Sequence, residues 1–356
     1  MKSLISFFRE LLTDSPKQSL EGLSALEKAD AMLHNLAVEA KVPGMAVTIL
    51  KEGKIVLEKG YGYANLEKRT PVYPQNTLFR IASISKCITG IALAKMVEEG
   101  LVDLDSSFYA YVPYYPKKEY DFTLRQLAGH TAGIRSYRGK EFALNQPFSI
   151  KESIEVFKND PLVFEPGKGY LYNSFDFVLL SLAMQEAAGI PFEDYVMEKV
   201  LGPLSMKNTH PSSKYDIDLK TKVNLSEFYT KTATGFKKAV AVNNNYKIAG
   251  GGYLSTSNDI AKLGDAILNQ KLVAPKILKE VLTSQTVNGD STYYGLGFQV
   301  SQDIEGKSFV GHVGNSVGAY SNFFVYPNEQ TVISILINCT DPKVQNELDS
   351  INILFN

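Results

Sequence analysis

Phe79-Arg80-Ile81-Ala82-Ser83-Ile84-Ser85-Lys86-Cys87-Ile88-Thr89-Gly90 is the stretch of this 356-residue chain that says most about its architecture and chemistry. Ile84, Ile88, Ile91, Ala92, Ala94 and Val97 recur at helical spacing, and Gly100 supplies a stop. Residues three apart share a helix face, so the Lys86 amine can reach the Ser83 hydroxyl as its base. Ser83 falls in the first turn, where free N–H groups and the positive end of the helix dipole favour an oxyanion. The pair points to acyl transfer through a covalent serine ester. A Ser and a Lys three apart also recur by chance roughly once or twice in a chain this long, so the pair alone does not decide the chemistry.

Two later motifs bear on it. Pro166-Gly167-Lys168-Gly169-Tyr170-Leu171-Tyr172-Asn173-Ser174 reads as a turn before an apolar helix from about Asp176 to Ala188. Tyr172 is a second candidate proton-transfer group. A phenol titrates near 10, so it acts as a base only where positive charge favours phenolate, and Lys86 is the obvious source. A packing tyrosine, one of 20 in the chain, is the plainer alternative. Gly311-His312-Val313-Gly314, followed by Asn315-Ser316-Val317-Gly318 and the strand-like Phe323-Phe324-Val325-Tyr326, reads as a strand edge against which an acyl group can hydrogen-bond, or simply as a glycine-rich hairpin.

With these three motifs the chain resembles the serine β-lactamase and penicillin-binding protein superfamily, in its class C, D-Ala-D-Ala carboxypeptidase and esterase branch. Within that branch it resembles the β-lactamase-like serine protease of animal mitochondria and its bacterial relatives. The likeness continues through Leu101-Val102-Asp103-Leu104-Asp105-Ser106, Gln126-Leu127, His130-Thr131-Ala132-Gly133-Ile134-Arg135 and Tyr246-Lys247-Ile248-Ala249-Gly250-Gly251-Gly252. It covers most of the chain after about residue 30.

The resemblance implies Ser83 as nucleophile, Lys86 and Tyr172 as the coupled proton-transfer pair, and the N–H groups of Ser83 and Asn315 as oxyanion hole. It implies a substrate site at Ser174, His312, Gly314 and Asn315. Two departures stand out. Many members have Tyr-Ser-Asn where this chain has Tyr172-Asn173-Ser174, so the Ser174 hydroxyl replaces the usual amide or the amide moves to Asn173. The third motif of β-lactamases begins with lysine and here begins with His312, mostly neutral at pH 7. Weak β-lactam turnover at best is the expectation.

Gly314-Asn315-Ser316-Val317-Gly318 matches the G-x-S-x-G of α/β-hydrolases, which requires strand, sharp turn and helix with a later histidine. A strand follows instead, and none of the four histidines lies after Ser316. Four scattered histidines and two cysteines offer no metal-ligand spacing, and no phosphate-binding glycine motif occurs, so neither metal nor cofactor is expected. Thr256 and Asp259 resemble a capping box after the Gly250-Gly251-Gly252 loop. Cys87 would point about 100° away from Lys86, toward packing.

A net charge of -1 gives no basic field for nucleic acid. With 44% hydrophobic and 21% charged residues, the composition is that of a globular chain with a substantial core. Leu4, Phe7, Phe8, Leu11 and Leu12 make an amphipathic segment over residues 1–20. It could dock on its own domain, mediate self-association or touch a membrane surface. Without a clear secretory core or membrane span, a cytoplasmic location is expected.

The expected fold class is α/β. Strands at Ala46 to Leu50 and Ile55 to Glu58 join across Glu52-Gly53 after a helix from Leu20 to Ala40. Gly297 to Val300, Ser308 to Val310, Ala319 to Tyr326 and Thr331 to Ile337 add further strands, with a helix after Asp341. Early and late strands form one antiparallel sheet flanked by helices, with a large mostly helical insertion. Residues 21–80 and 291–356 form the α/β lobe, and 81–290 the helical one. The expected activity is hydrolysis of an amide, peptide or ester bond of a small molecule or peptide. A small-acyl esterase, a penicillin-binding sensor without turnover, or a scaffold are the alternatives.

Overall fold

The computed structural model describes residues 16–212 and 224–356. The amphipathic pattern at Leu4 to Leu12 lies outside the described residues. Strand β1 (Gly44–Lys51) is buried along nearly its whole length, because Met45, Val47 and Ile49 on one face and Ala46 and Leu50 on the other are apolar and the Thr48 hydroxyl between them is paired with that of Ser257. It pairs with β2 (Lys54–Asn65) through the two-residue turn Glu52-Gly53, both left-handed at φ 51 and 72, as a tight hairpin requires.

The other neighbour of β1 comes from the far end of the chain. After β3 (Thr70–Pro71), the strands β4 (Gln299–Gln302), β5 (Ser308–Ser316), β6 (Ala319–Tyr326) and β7 (Thr331–Ile337) follow in antiparallel order. Met45 pairs with Ile337 and Lys51 with Thr331, so the sheet runs β4-β5-β6-β7-β1-β2-β3. Everything between β3 and β4 is inserted into a sheet built from the two ends of the chain.

The period of two decides which core each side chain joins. Met45, Val47 and Ile49, with Ile333, Ile335 and Ile337, pack on helices α1 (Ala25–Val38) and α5 (Gln345–Asn352). Ala46, Val332, Leu336 and Phe323 face the opposite core, against α2 (Ile84–Glu98) and α4 (Ser257–Leu268). Both α2 and α3 (Phe175–Ala188) are buried almost all round, as interior helices with no polar stripe should be. None of the described helices is by itself long and apolar enough to cross a membrane.

Differences from the sequence expectation are local. Helix α1 starts at Ala25, not Leu20, because Ser24 and Glu27 close a capping box there. β4 starts at Gln299, not Gly297: Gly297 has φ 91 and lies where a Cβ would come 2.5 Å from the Lys86 carbonyl oxygen. β5 runs to Ser316, well past Val310. The Gly250 run is a helical turn, Ile248–Gly251, before the short strand Tyr253–Ser255, and Thr256 caps α4 through the Asp259 N–H.

Candidate active site

Ser83 is the residue before α2, entered through Ala82 at φ 48, a left-handed conformation that a Cβ makes unfavourable. Two contacts hold this bend. The Ser321 hydroxyl of β6 donates to the Ile81 carbonyl at 2.9 Å. Gly314 of β5 presses on the same segment, so closely that an added Cβ would stand 2.8 Å from the Ile81 oxygen and 2.2 Å from Ser321 Oγ. Only glycine lets the strand lie this near the serine.

Three hydroxyl and amine groups meet here. The Tyr172 hydroxyl donates to Ser83 Oγ at 2.6 Å, and Lys86 Nζ lies 3.4 Å from the same atom. Lys86 is wholly buried and donates to the Gly250 carbonyl at 2.6 Å. Its ammonium also stands 4.8 Å from the centre of the Tyr172 ring.

Burial pulls Lys86 from a lysine's ordinary 10.5 down to about 7, against the weaker pull of Cys87 and Asp176. Burial also pushes the Tyr172 hydroxyl above the usual phenol value, opposed by its bond to Ser83. The ring is 37% exposed, so this push acts on the hydroxyl end in the pocket and not on the whole side chain. The expectation that Lys86 would make Tyr172 a phenolate is therefore corrected. Desolvation penalises both charged forms, leaving an amine able to accept a proton beside a phenol that holds its own.

His312 is buried on β5 and neutral. Burial, then Lys86, lower it from 6.5 to about 3. Its Nδ1–H donates to the Val313 carbonyl at 2.6 Å, which leaves Nε2 to accept from the Tyr294 hydroxyl at 3.0 Å. Both nitrogens are engaged, and the residue offers the cleft a ring, not a charge.

Asn173 is drawn inward. Its Nδ2 donates to Asp176 at 2.7 Å, and its Oδ1 accepts the Asp176 N–H at 2.8 Å, capping α3. The residue that lines the Ser83 pocket is Ser174. Asp176 in turn meets the buried His130 at 2.8 Å, behind Tyr172, whose ring centre is 4.7 Å from that imidazole.

Two cavities with otherwise different walls share Ser83 and Asn315. One, of about 450 Å³, is walled by Tyr170, Tyr172, Tyr294, Thr292 and His312. The other, of about 90 Å³, is walled by Ser174, Tyr137, Phe142, Lys247 and Val317. β4 pairs with β5 only from Ser308 to Gly311; beyond it the Val313 N–H donates to the Gln299 side chain at 2.9 Å, and Asn315, two residues on, lines both cavities. Ser316 ends its strand, Gly318 turns at φ 73 and β6 follows, so the G-x-S-x-G match is a hairpin and not a strand-to-helix elbow.

The six other site residues expected from the sequence, Lys86, Tyr172, Ser174, His312, Gly314 and Asn315, thus lie around Ser83. Lys247, Gly250 and Tyr294 were missed. A lysine inside the apolar and glycine run from Tyr246 to Gly252 was the available signal for the first two. Among the described residues no cluster of metal-ligating side chains occurs.

The family model described as Beta-lactamase matches residues 23–355. The human mitochondrial serine beta-lactamase-like protein LACTB is 29% identical over 423 aligned positions, covering 89% of this chain and 75% of that protein. The octameric penicillin-binding protein homologue of Pyrococcus abyssi superposes with a TM-score of 0.79 at 25% identity, over 92% of this chain and 77% of that one. The D-amino acid amidase of Ochrobactrum anthropi superposes with a TM-score of 0.81 at 20% identity, over 93% and 99%.

Proposed function

Since the chain belongs to the beta-lactamase family, within the serine β-lactamase and penicillin-binding protein superfamily, we propose that it hydrolyses an amide, peptide or ester bond through an acyl-enzyme on Ser83. The observation that carries this is the convergence of the Tyr172 hydroxyl and the buried Lys86 amine on one serine oxygen.

Neutral Lys86 takes the Ser83 proton as Oγ attacks the substrate carbonyl. The carbonyl oxygen gains the negative charge and is met by the N–H groups of Ser83 and Asn315. When the tetrahedral adduct collapses, the bond to the leaving group breaks. Tyr172 passes a proton to that group and takes in its place the one that Lys86 removed from Ser83. Water then attacks the ester by the same steps in reverse. The 3.4 Å between Nζ and Oγ is long for a hydrogen bond, as is common before substrate closes a site.

A neutral His312 in place of a lysine removes the cation that would grip a β-lactam carboxylate, which supports poor β-lactam turnover. Efficient hydrolysis of a cephalosporin by the purified protein would refute that part. For the nucleophile, the test is intact mass after treatment with a fluorophosphonate, comparing wild type with Ser83→Ala and Ser316→Ala. One adduct, lost only in Ser83→Ala, is expected, and an adduct lost only in Ser316→Ala overturns the assignment.

A further inference from the structure

Tyr172 touches Ser83 from the side of the larger cavity and lines no part of the smaller one. If Tyr172 protonates the leaving group, that group departs through the larger, tyrosine-walled cavity. The acyl group then occupies the smaller cavity, whose 90 Å³ suits a short chain.

Lys247 borders this small cavity and is 6% exposed. Its Nζ donates one hydrogen bond, to the Phe142 carbonyl at 2.9 Å, and among the described residues it forms no ion pair. Glu141, the acid of the same turn, is held by Arg135 at 2.6 and 3.1 Å. Burial, and after it the cations Lys86 and Arg80, pulls the Lys247 ammonium down to about 7. A buried amine with spare donors and no counter-ion, beside a cavity, is costly to hold charged, and the rings of Tyr137 and Tyr246, 5.3 and 5.5 Å from Nζ, offset only part of that cost. The fold has already desolvated the amine, so a carboxylate entering the cavity has only its own desolvation to offset.

We propose that Lys247 selects substrates whose short acyl group ends in a carboxylate, which its ammonium binds in the small cavity beside Ser83. This rests on the reading of Ser83 as nucleophile and Tyr172 as proton donor. It places the anion-recognising charge on the segment before Gly250, beside the smaller cavity, whereas His312 of β5 lines the larger one. The plainer role, holding the turn at Phe142, calls for the backbone hydrogen bond and not for an anion.

The test is protection of wild-type protein from fluorophosphonate labelling by two amides of equal length, the mono-4-nitroanilide of succinic acid and the 4-nitroanilide of butyric acid. They differ only by carboxylate for methyl at the acyl end. The succinyl compound is expected to protect at about tenfold lower concentration, the worth of one charge-assisted hydrogen bond. Lys247→Met is expected to bring the ratio near one. The ratio of protecting concentrations is the readout, since a general loss of labelling rate leaves it untouched. A wild-type ratio below about threefold, or a preference that survives Lys247→Met, overturns the proposal while Ser83 labelling stands. Absence of any Ser83 adduct overturns both readings.

Discussion

Lys86 stands 3.4 Å from the Ser83 hydroxyl yet gives its shorter hydrogen bond, 2.6 Å, to the carbonyl of Gly250. The amine is thus aimed by a backbone oxygen across the site, while α2 fixes its distance from the serine. Among the described residues no carboxylate forms an ion pair with it, and the interior around it penalises charge. A lysine that must act as a base near neutral pH needs such surroundings.

The first consequence is a pH dependence. Lys86 accepts a proton only when neutral, and burial has brought its titration to about 7. Labelling of Ser83 by a fluorophosphonate should therefore rise with pH through an inflection near 7 and level off above it. Lys86→Met should lose about 10² to 10⁴ in rate, the usual worth of a general base. A profile flat from pH 5.5 to 9 (about one and a half to two units on either side of the inflection) would sink the role of Lys86.

Tyr172 gives a second test because leaving groups differ in their need for a proton. Nitrophenolate departs unprotonated, whereas an anilide nitrogen must be protonated first. Tyr172→Phe should cost an anilide substrate about 10² or more in kcat/KM and an activated nitrophenyl ester far less. Equal losses on both substrates would mean that Tyr172 aligns Ser83 and donates nothing to the leaving group.

The sheet was legible because its strands carry their evidence locally. The strand-like runs Ala319–Tyr326 and Thr331–Ile337 and the turn at Glu52-Gly53 need no knowledge of the rest of the chain. The trio Ser83, Lys86 and Tyr172 was legible as residue types in order. What could not be read was the sign of the electrostatics. Sequence supplies the charge of Lys86 as a reason for Tyr172 to ionise, but the enclosing helices bury both groups, and desolvation outweighs their mutual effect. Nor could periodicity reveal that Lys247, 161 positions after Lys86, lies near it, since that proximity depends on how Ile248–Gly251 packs on α2. The choice between Asn173 and Ser174 was readable in principle, because an Asn three residues before Asp176 at the head of a helix is a capping signal.

Gly314 should tolerate no side chain. In Gly314→Ala the new methyl meets Ser321 Oγ at 2.2 Å and the Ile81 oxygen at 2.8 Å, and Ile81 leads into the strained Ala82 before the nucleophile. Overpacking of this kind costs about 1–3 kcal/mol. The displaced strand also carries Asn315 away from Ser83, so the labelling rate should fall about tenfold or more for a shift of only part of an ångström. Adding Ser321→Ala removes the nearest obstacle and should restore part of both losses, as followed by thermal unfolding and labelling. If Gly314→Ala alone labels at the wild-type rate, β5 does not set the geometry of the serine.

The neutral His312 links the site to acid stability. Unfolded histidine titrates at 6.5, whereas burial, with Lys86 adding to it, holds the folded residue down to about 3. Between those values the unfolded chain takes up a proton that the folded chain refuses, so stability contributed by this residue is lost as pH falls through that window. Each pH unit is worth about 1.4 kcal/mol, so lowering the pH from 7.5 to 5 should cost wild type about 2 kcal/mol through His312 alone. Glutamine at 312 is uncharged at both pH values. Denaturant midpoints of His312→Gln should therefore fall less steeply with acid than those of wild type, by about that amount, whatever the stability of the variant at pH 7.5. His130, which burial also lowers, contributes equally to both proteins and cancels. Parallel acid limbs in the two proteins would mean that His312 takes up its proton in the folded state, and that the third motif carries a charge at the site after all.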